Sequence, residues 1–449
     1  MPDKACGWPL LNPENRLRSQ TMNMKYALPI FLATFGCLLC ARALDVTNVT
    51  ARQRWPWNNL VDIDFTVLAN GTEGMTEFGV AVTASYANGT KTVTPSTFTS
   101  EFLATAGTNR VTWNLGADCP CLRAADLAIT VSVSTNTAET PAYLVVDLSG
   151  GASATSYPVH YTSRAPDPSN TTCRTSELWL RRVLAGSFTM GTSSSELGRG
   201  PVGGLDSDAN QKDVTLTRAY YVGVFQVTQR QWYNVMGNWP SYLTNAVCRD
   251  LRPVEQVTYD LIRGAAAQGG GGWPTNSGIY ADSFVGRLRL KTGLSSLDLP
   301  TEAQWEFACR AGTTTALYSG MNLTNVTSDA NVAVLARYQY NSGYDGVNLP
   351  ARACGFEGGT SAVGSYRPNA WGLYDMLGNT YEWCLDWYTA GVIPGGTDPQ
   401  GFASGTERVR RGGMFTSPAS QCRVGMRWKK GPSDTGSTYG CGFRIAKQP

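Results

Sequence analysis

Near the C-terminus the chain reads RRGGMFTSPASQCRVGMR over residues 410–427, which sets a cysteine, Cys422, five residues after a serine, Ser417. A thiol in such a loop can act as a nucleophile or soft metal ligand in its thiolate form, can be half of a disulfide, or can fill a small buried space. All three uses stay open on these residues alone. A serine attacks only when a base removes its proton. The one histidine of the chain, His160, lies far upstream in a strand-like stretch and reads as an ordinary strand residue. Hydrolysis by a serine, histidine and carboxylate triad is therefore disfavoured.

The elements around this stretch are bounded by length and composition. A chain of 449 residues is too long for one compact core and predicts two or three domains. From Met24 the sequence MKYALPIFLATFGCLLCARA sets Lys25 before an apolar run that ends at Ala41-Arg42-Ala43. That pattern predicts an upstream segment and secretory signal over residues 1–43, too short and wrongly flanked for a membrane span. The mature chain is then expected from about residue 44, without a transmembrane segment, and the protein is expected to be secreted, periplasmic or on the cell surface. Residues 1–43 hold five basic residues (Lys4, Arg16, Arg18, Lys25, Arg42) and two acidic ones (Asp3, Glu14), so the totals of 37 and 34 fall to 32 of each sign. A neutral mature chain excludes nucleic acid as a partner, because phosphate binding needs an excess of cations. Nine cysteines remain of the 12, and export favours disulfides among them. Nine is odd, which leaves at least one free or paired to another molecule.

The mature chain is read as an α+β protein. In LVDIDFTV, residues 60–67, Val61, Ile63, Phe65 and Val67 alternate with polar residues, as a half-buried strand requires. FGVAV (78–82) and LAITVSV (127–133) repeat the period, and Asn70-Gly71 and Asn88-Gly89 supply hairpin turns. These signals predict an all-β immunoglobulin-like sandwich over 44–162, serving as a spacer or adhesive module. The polar, proline-bearing segment 163–175 reads as a linker, which Cys173 can staple to one neighbour. Beyond it, VTQRQW and PTEAQW each pair a capping threonine (Thr228, Thr301) with a glutamine three residues on (Gln231, Gln304), and ADSFVGRLRLKTG carries a weaker helical pattern ending at Gly293. The run AAAQGGGGWP, residues 265–274, is expected to be a flexible surface insertion, and it lacks the Lys-Ser/Thr of a phosphate loop. After about residue 311 helices give way to loops, which disulfides, metal ions and buried tryptophans would have to hold.

The series GSFTMG (186–191), YYVGVFQVTQRQWYNVMG (220–237), RPVEQVTYD (252–260), LPTEAQWEFACRAG (299–312), NAWGLYDMLGNTYEWCLDWY (369–388), RVRRGG (408–413) and GFRIA (442–446) resembles the formylglycine-generating enzyme, or sulfatase-modifying factor, family. The resemblance covers about residues 176–447 and implies a domain over 176–449 with that family's variant of the C-type lectin-like fold, low in regular structure and holding calcium. Catalytic members oxidise a substrate cysteine to formylglycine with oxygen, using copper held by two cysteines. Other relatives carry a non-haem iron site built from histidines.

Carried onto this chain, the two cysteine positions of the copper motif fall on Ser417 and Cys422, and the serine that follows Gly-Gly in the family is Met414. A serine hydroxyl binds copper(I) poorly, so one of the two soft ligands is absent. The single His160 excludes the iron-type site. Formylglycine formation is therefore disfavoured, copper is not expected, and Cys422 keeps the family position without its partner. Relatives with cysteines at both sites imply a Cys384–Cys422 disulfide, against Cys441 or a free thiol. The family's calcium ligands fall on Asp375 and Glu382 by side chain and on Gly378 and Thr380 by carbonyl, the hard oxygens that calcium takes. The alternative for Glu382 is a charge-assisted bond to a nearby arginine. A second calcium set falls on Asn331, Val332, Asp345 and Val347. Both ions would be structural.

These residues predict an exported, non-catalytic member of the fold that binds a protein or glycan ligand. WKKGPSDTGSTYG (428–440) would be part of its surface, in the region that relatives in diversity-generating systems vary. The alternatives are a formylglycine-generating oxidase with an altered site, and a purely structural surface component.

Overall fold

The computed structural model describes residues 44–449 apart from 55–58, 70–77, 100–102, 121, 123–125, 135–141, 201–208, 245–247, 344–357 and 435–439. The expected signal over 1–43 and the turn at Asn70-Gly71 lie outside the described residues, as do Cys121, Cys354, Asp345 and Val347.

The N-terminal part is rich in strands, as the alternating pattern predicts. Val61, Ile63, Phe65 and Val67 of the strand Leu60–Ala69 are all buried. This strand lies antiparallel between Leu44–Gln53 and Gly107–Asn114. A second sheet pairs Phe78–Tyr86 with Lys91–Val93, Leu103–Ala104 and Ala128–Ser134. At Asn88-Gly89 both residues adopt positive φ (55° and 80°) and the Thr90 amide closes the turn on the Ala87 carbonyl at 3.2 Å.

The first sheet does not stop at residue 162. In hydrogen-bonded order it runs Leu44–Gln53, Leu60–Ala69, Gly107–Asn114, Thr97–Phe98, Val159–Thr162, Tyr143–Asp147, Glu177–Val183, Tyr220–Gly223, Ala446–Lys447 and Leu297–Asp298. The strand Tyr143–Asp147 is the join, matched to Glu177–Val183 from Glu177 opposite Asp147 to Arg181 opposite Tyr143. One apolar cluster accordingly holds Phe65 and Trp113 together with Trp232, Trp383 and Phe443. The segment 163–175, expected as a linker, packs against the C-terminal part. Thr172–Thr175 is a helical turn, Arg174 Nη1 donates to the Val363 carbonyl (2.9 Å), and Thr228 Oγ1 donates to the Arg174 carbonyl (2.7 Å). Cys173 is a free thiol that donates to the carbonyls of Asn170 and Asp167, and burial pushes its pKa up to about 11.

Three helices form where the caps predict them. Gln229–Met236 and Glu302–Arg310 each start in a complete capping box, from Thr228 with Gln231 and from Thr301 with Gln304. Gln229–Met236 and Phe284–Thr292 end in left-handed Gly237 and Gly293. Beyond residue 311 the described helical pieces are the four residues Ala330–Ala333 and short 3-10 turns. Among the described residues no helix is long and apolar enough to cross a membrane.

The glycine run is not a flexible insertion. A Cβ on Gly270 would lie 2.2 Å from the Arg263 carbonyl, so the chain passes where only glycine fits. Arg263 Nη1 donates to the Gly270 carbonyl (2.7 Å) and Arg408 Nη2 to the Gly271 carbonyl (2.5 Å). Among the described residues, buried guanidinium groups of this kind hold the loops. Arg263 pairs with Asp298, Arg310 and Arg411 with Glu306, Arg427 with Glu302 and Arg444 with Glu382, each inside the fold.

Candidate functional site

The strand Arg408–Arg411 lies antiparallel between Tyr381–Trp387 and Arg427–Lys430, and Cys441–Gly442 joins the far side of Tyr381–Glu382 in parallel. At its end Gly412 and Gly413 turn the chain with φ of 92° and 79°, and a Cβ on Gly413 would come within 2.9 Å of Cys422 Sγ. This turn brings Ser417 and Cys422 into the same buried region. Ser417 is 1% exposed, and its Oγ accepts from the Met414 amide at 3.2 Å. Tyr381 Oη donates to Gln421 Oε1 (3.2 Å), which leaves Ser417 Oγ as the donor to Tyr381 Oη (3.2 Å). Burial raises the Tyr381 phenol to about 12, so it offers Ser417 no base at neutral pH.

Cys422 is fully buried, and burial alone pushes its thiol up to about 12. The seven described cysteines are free thiols, so the expected Cys384–Cys422 bridge is not formed. Their surroundings differ. Cys384 is raised by burial and by the carboxylates of Asp386, Glu302 and Glu382, with Arg411 opposing, whereas Cys422 sits against the Gly413 turn. Cys441 is also free, and its sulfur accepts from Arg410 Nη1. A hydroxyl locked in hydrogen bonds and a protonated thiol are not the two soft thiolates that copper(I) needs, and the residues here do not fit that ion. His160 sits on the strand Val159–Thr162 opposite Val145, and burial lowers its pKa.

The turn Asp375–Glu382 is built differently from its sequence expectation at one position. Asp375 (φ 53°), Gly378 (72°) and Asn379 (63°) all take left-handed backbone, which turns carbonyls inward. Gly378 is required here, since a Cβ would stand 2.3 Å from the Arg337 carbonyl. The Asp375 carboxylate accepts instead from the Gly364 amide (2.6 Å), and burial raises it to about 6. Its backbone carbonyl is the group that faces the others. The carbonyls of Asp375, Gly378 and Thr380 and Glu382 Oε1 surround Gln226 Nε2 at 3.2, 3.4, 3.1 and 3.0 Å. Glu382 also accepts from Arg444 Nε and Nη2 (2.6 and 2.7 Å) and from the Trp305 indole N–H (2.7 Å). Gln226 Oε1 is buried without a hydrogen-bond partner. The four oxygens are the hard donors that calcium takes, but the point they surround is where Gln226 Nε2 lies, so an ion there would need this amide to move aside. Among the described residues no three His, Cys, Asp or Glu side chains cluster as metal ligands, so such a site would rest on carbonyls.

Of the second set, Asn331 and Val332 lie in the turn Ala330–Ala333. Their amides both donate to Asp329 Oδ1 (2.8 and 3.3 Å), and Asn331 Nδ2 donates to the Asn322 carbonyl (3.1 Å). Along 428–434 four side chains are engaged. Trp428 stacks on Tyr381 with centroids 6.2 Å apart, Lys429 pairs with Glu407 (2.7 Å) and Lys430 with Asp434 (3.3 Å). Sequence reasoning passed over Gln226, Tyr381, Arg410, Gln421 and Arg444. Gln226 stands two residues before a capping threonine that drew attention to the helix alone.

The sulfatase-modifying factor enzyme 1-like domain family matches residues 165–449. Serine/threonine-protein kinase pkn1 of Chlamydia pneumoniae is 39% identical over 153 residues, which span 33% of this chain and 20% of that protein. Formylglycine-generating enzyme of Bos taurus is 28% identical over 294 residues, 59% of this chain and 73% of the relative. Among solved structures, Treponema denticola variable protein 1 superposes with a TM-score of 0.44 at 27% identity, covering 61% of this chain and 96% of that one.

Proposed function

Since the chain belongs to the sulfatase-modifying factor enzyme 1-like family over residues 165–449, we propose that it is an exported, non-catalytic member that works as a ligand-binding or surface interaction module. The carrying observation is the state of the two positions where the copper-type motif needs thiolates. Ser417 Oγ is held by the Met414 amide and Tyr381 Oη, and the Cys422 thiol stays protonated far above neutral pH. The segment around Trp428 to Asp434 would recognise a protein or a glycan; residues 435–439 lie outside the described residues. The strand-rich N-terminal part is read as an immunoglobulin-like spacer that presents this surface from the cell or in the secreted state.

Calcium, in this reading, is structural. Asp375, Gly378, Thr380 and Glu382 would hold it, and the ion would pin the loop beneath the Arg-Gly-Gly strand rather than activate water. The second reading, a formylglycine-generating oxidase with an altered site, is favoured by relatives that carry that name.

One experiment separates the two. The full chain under reducing conditions is given copper(I) and a CxPxR-type peptide, and the peptide is followed by mass spectrometry alongside binding to protein and glycan arrays. The proposal expects array binding with no copper uptake and no aldehyde product. Stoichiometric copper with formylglycine in the peptide would overturn it.

A further inference from the structure

Trp273, which follows the glycine run, stands in the wall of a cleft of about 360 Å³ whose lining includes no residue of 375–382 or 412–434. That volume lies within the roughly 300–1,000 Å³ of small-molecule sites. The residue is held twice: its indole Nε1 donates to the Gln400 carbonyl (3.0 Å), and its own carbonyl accepts from Arg408 Nη1 (3.0 Å). Arg408 opens the strand Arg408–Arg411, so the cleft lies at the end of that strand away from Gly412-Gly413. The packed glycines thus present a fixed, half-buried aromatic ring to an open space.

The buried side of the cleft is satisfied by the protein itself. Gln304 Nε2 donates to Gln448 Oε1 (2.9 Å), and Gln448 Nε2 to the Leu299 carbonyl (2.7 Å). Asp298 accepts from Arg263 Nε (2.7 Å) and Nη2 (2.9 Å), from Arg289 Nη2 (3.1 Å) and from the Leu299 amide (2.8 Å), which uses the roughly four lone-pair sites of a carboxylate and leaves none for a metal ion. The exposed side still offers donors and acceptors. Arg218 is exposed and has no hydrogen bond or ion pair among the described residues. Asp398 accepts from the Thr217 amide on one oxygen and from Thr217 Oγ1 on the other, so each oxygen can take a further donor. Ser277 and Ser295 add exposed hydroxyls. A cation would meet Arg218 and an anion would meet Asp398, whereas a neutral molecule whose hydroxyls both donate and accept suits the two together. We propose that this cleft binds a neutral saccharide, with a sugar ring against Trp273 and its hydroxyls among Arg218, Asp398 and the two serines. The ring supplies apolar contact area, and the few polar groups around it fix orientation. The site is separate from the surface at Trp428 to Asp434 and does not depend on whether the chain is catalytic.

The full chain is titrated by calorimetry with cellotetraose, chitotetraose, maltotetraose and mannotetraose as neutral probes and with trigalacturonate as an acidic one. The same titrations and a melting curve are recorded for Trp273→Leu, Arg218→Ala and Trp428→Ala. At least one neutral probe is expected to bind wild type, with affinity falling about tenfold or more in Trp273→Leu and about threefold or more in Arg218→Ala, and staying within about twofold in Trp428→Ala. Should Trp273→Leu fold poorly, Arg218→Ala still decides, because that side chain is exposed and supports nothing around it. No binding of any neutral probe, or binding of trigalacturonate alone, would overturn the proposal. So would a neutral probe that binds Trp273→Leu and Arg218→Ala as well as wild type. If that probe is lost in Trp428→Ala instead, the saccharide belongs to the surface at Trp428 and the interaction-module reading stands without this cleft.

Discussion

Arg427 closes a two-pronged ion pair on Glu302 across 125 positions of the chain, with Nε on Oε1 at 2.5 Å and Nη2 on Oε2 at 2.9 Å, both side chains 1% exposed. Arg411 reaches the same helix from the neighbouring strand and bonds Glu306, one turn further on. The Glu302–Arg310 helix is thus clamped from beneath to the two strands that flank the Ser417–Cys422 loop. Removing Arg427 would take away the two-pronged partner of the buried Glu302 carboxylate and leave it only the more distant Arg411 Nε at 3.7 Å, which Glu306 already shares.

Arg427→Met is therefore expected to lower stability by about 3–5 kcal/mol, read as a shift of the urea midpoint. The double variant Arg427→Met with Glu302→Leu is expected to recover most of that loss, because no charge is then stranded. Equal instability of the single and double variants would show that packing of the guanidinium, and not the pairing, carries the effect.

Two other buried carboxyl groups give the fold a pH dependence. Burial pushes Glu255 and Asp386 each up to about 7, from about 4 in an unfolded chain. The folded state binds more protons than the unfolded one between these values, so stability falls as pH rises from about 4 to about 7 and levels off above. Asp386 Oδ2 accepts the Glu302 amide at 2.7 Å, a bond that asparagine can keep. Wild type is expected to melt a few °C lower at pH 8 than at pH 5, and Asp386→Asn to narrow that gap. Identical pH profiles for the two proteins would remove Asp386 as the proton carrier.

The thiol state at Cys422 is open to direct chemical test. With its pKa near 12, roughly one thiol in ten thousand is ionised at pH 8, and the side chain is fully buried. Iodoacetamide applied to the native protein is expected to leave Cys309, Cys384 and Cys422 unlabelled, and to label all three once the chain is unfolded. Labelling of native Cys422 within minutes would mark it as a reactive thiol and count against the non-catalytic reading.

The sequence made local structure readable and long-range pairing unreadable. The caps at Thr228 and Thr301 and the alternation of Val61, Ile63, Phe65 and Val67 are short-range signals, and the structure reproduces them. The glycine run failed as a flexibility signal because its cause, the Arg263 carbonyl pressed against Gly270, is a contact that glycine content does not reveal. At the site, the positions of Ser417 and Cys422 were legible from the Arg-Gly-Gly turn. Tyr381 and Gln226 were not, since each meets its partners across dozens of residues, a pairing the quoted blocks do not show. The same blindness hid the partners of the buried arginines, which sequence sees only as composition.

The boundary between the two halves can be tested by truncation. The family match begins at residue 165, yet the strand Glu177–Val183 needs Tyr143–Asp147 along its edge, with five residue pairs between them. Leu144 and Val146 of that strand are fully buried in the same cluster as Leu180 and Phe443. Lys291 Nζ also donates to the Ala152 carbonyl (2.7 Å), so the connection between Tyr143–Asp147 and Val159–Thr162 is held by the C-terminal part. A chain cut to 165–449 would expose a long apolar strand edge, a surface prone to pair with other copies. It is expected to aggregate or to melt far below a chain of 142–449, which retains both strands. Size-exclusion profiles and melting curves of the two chains decide the matter. If 165–449 is monomeric and melts within 2–3 °C of the longer chain, roughly 1 kcal/mol at this size, then Tyr143–Asp147 packs on the domain without being needed to complete it.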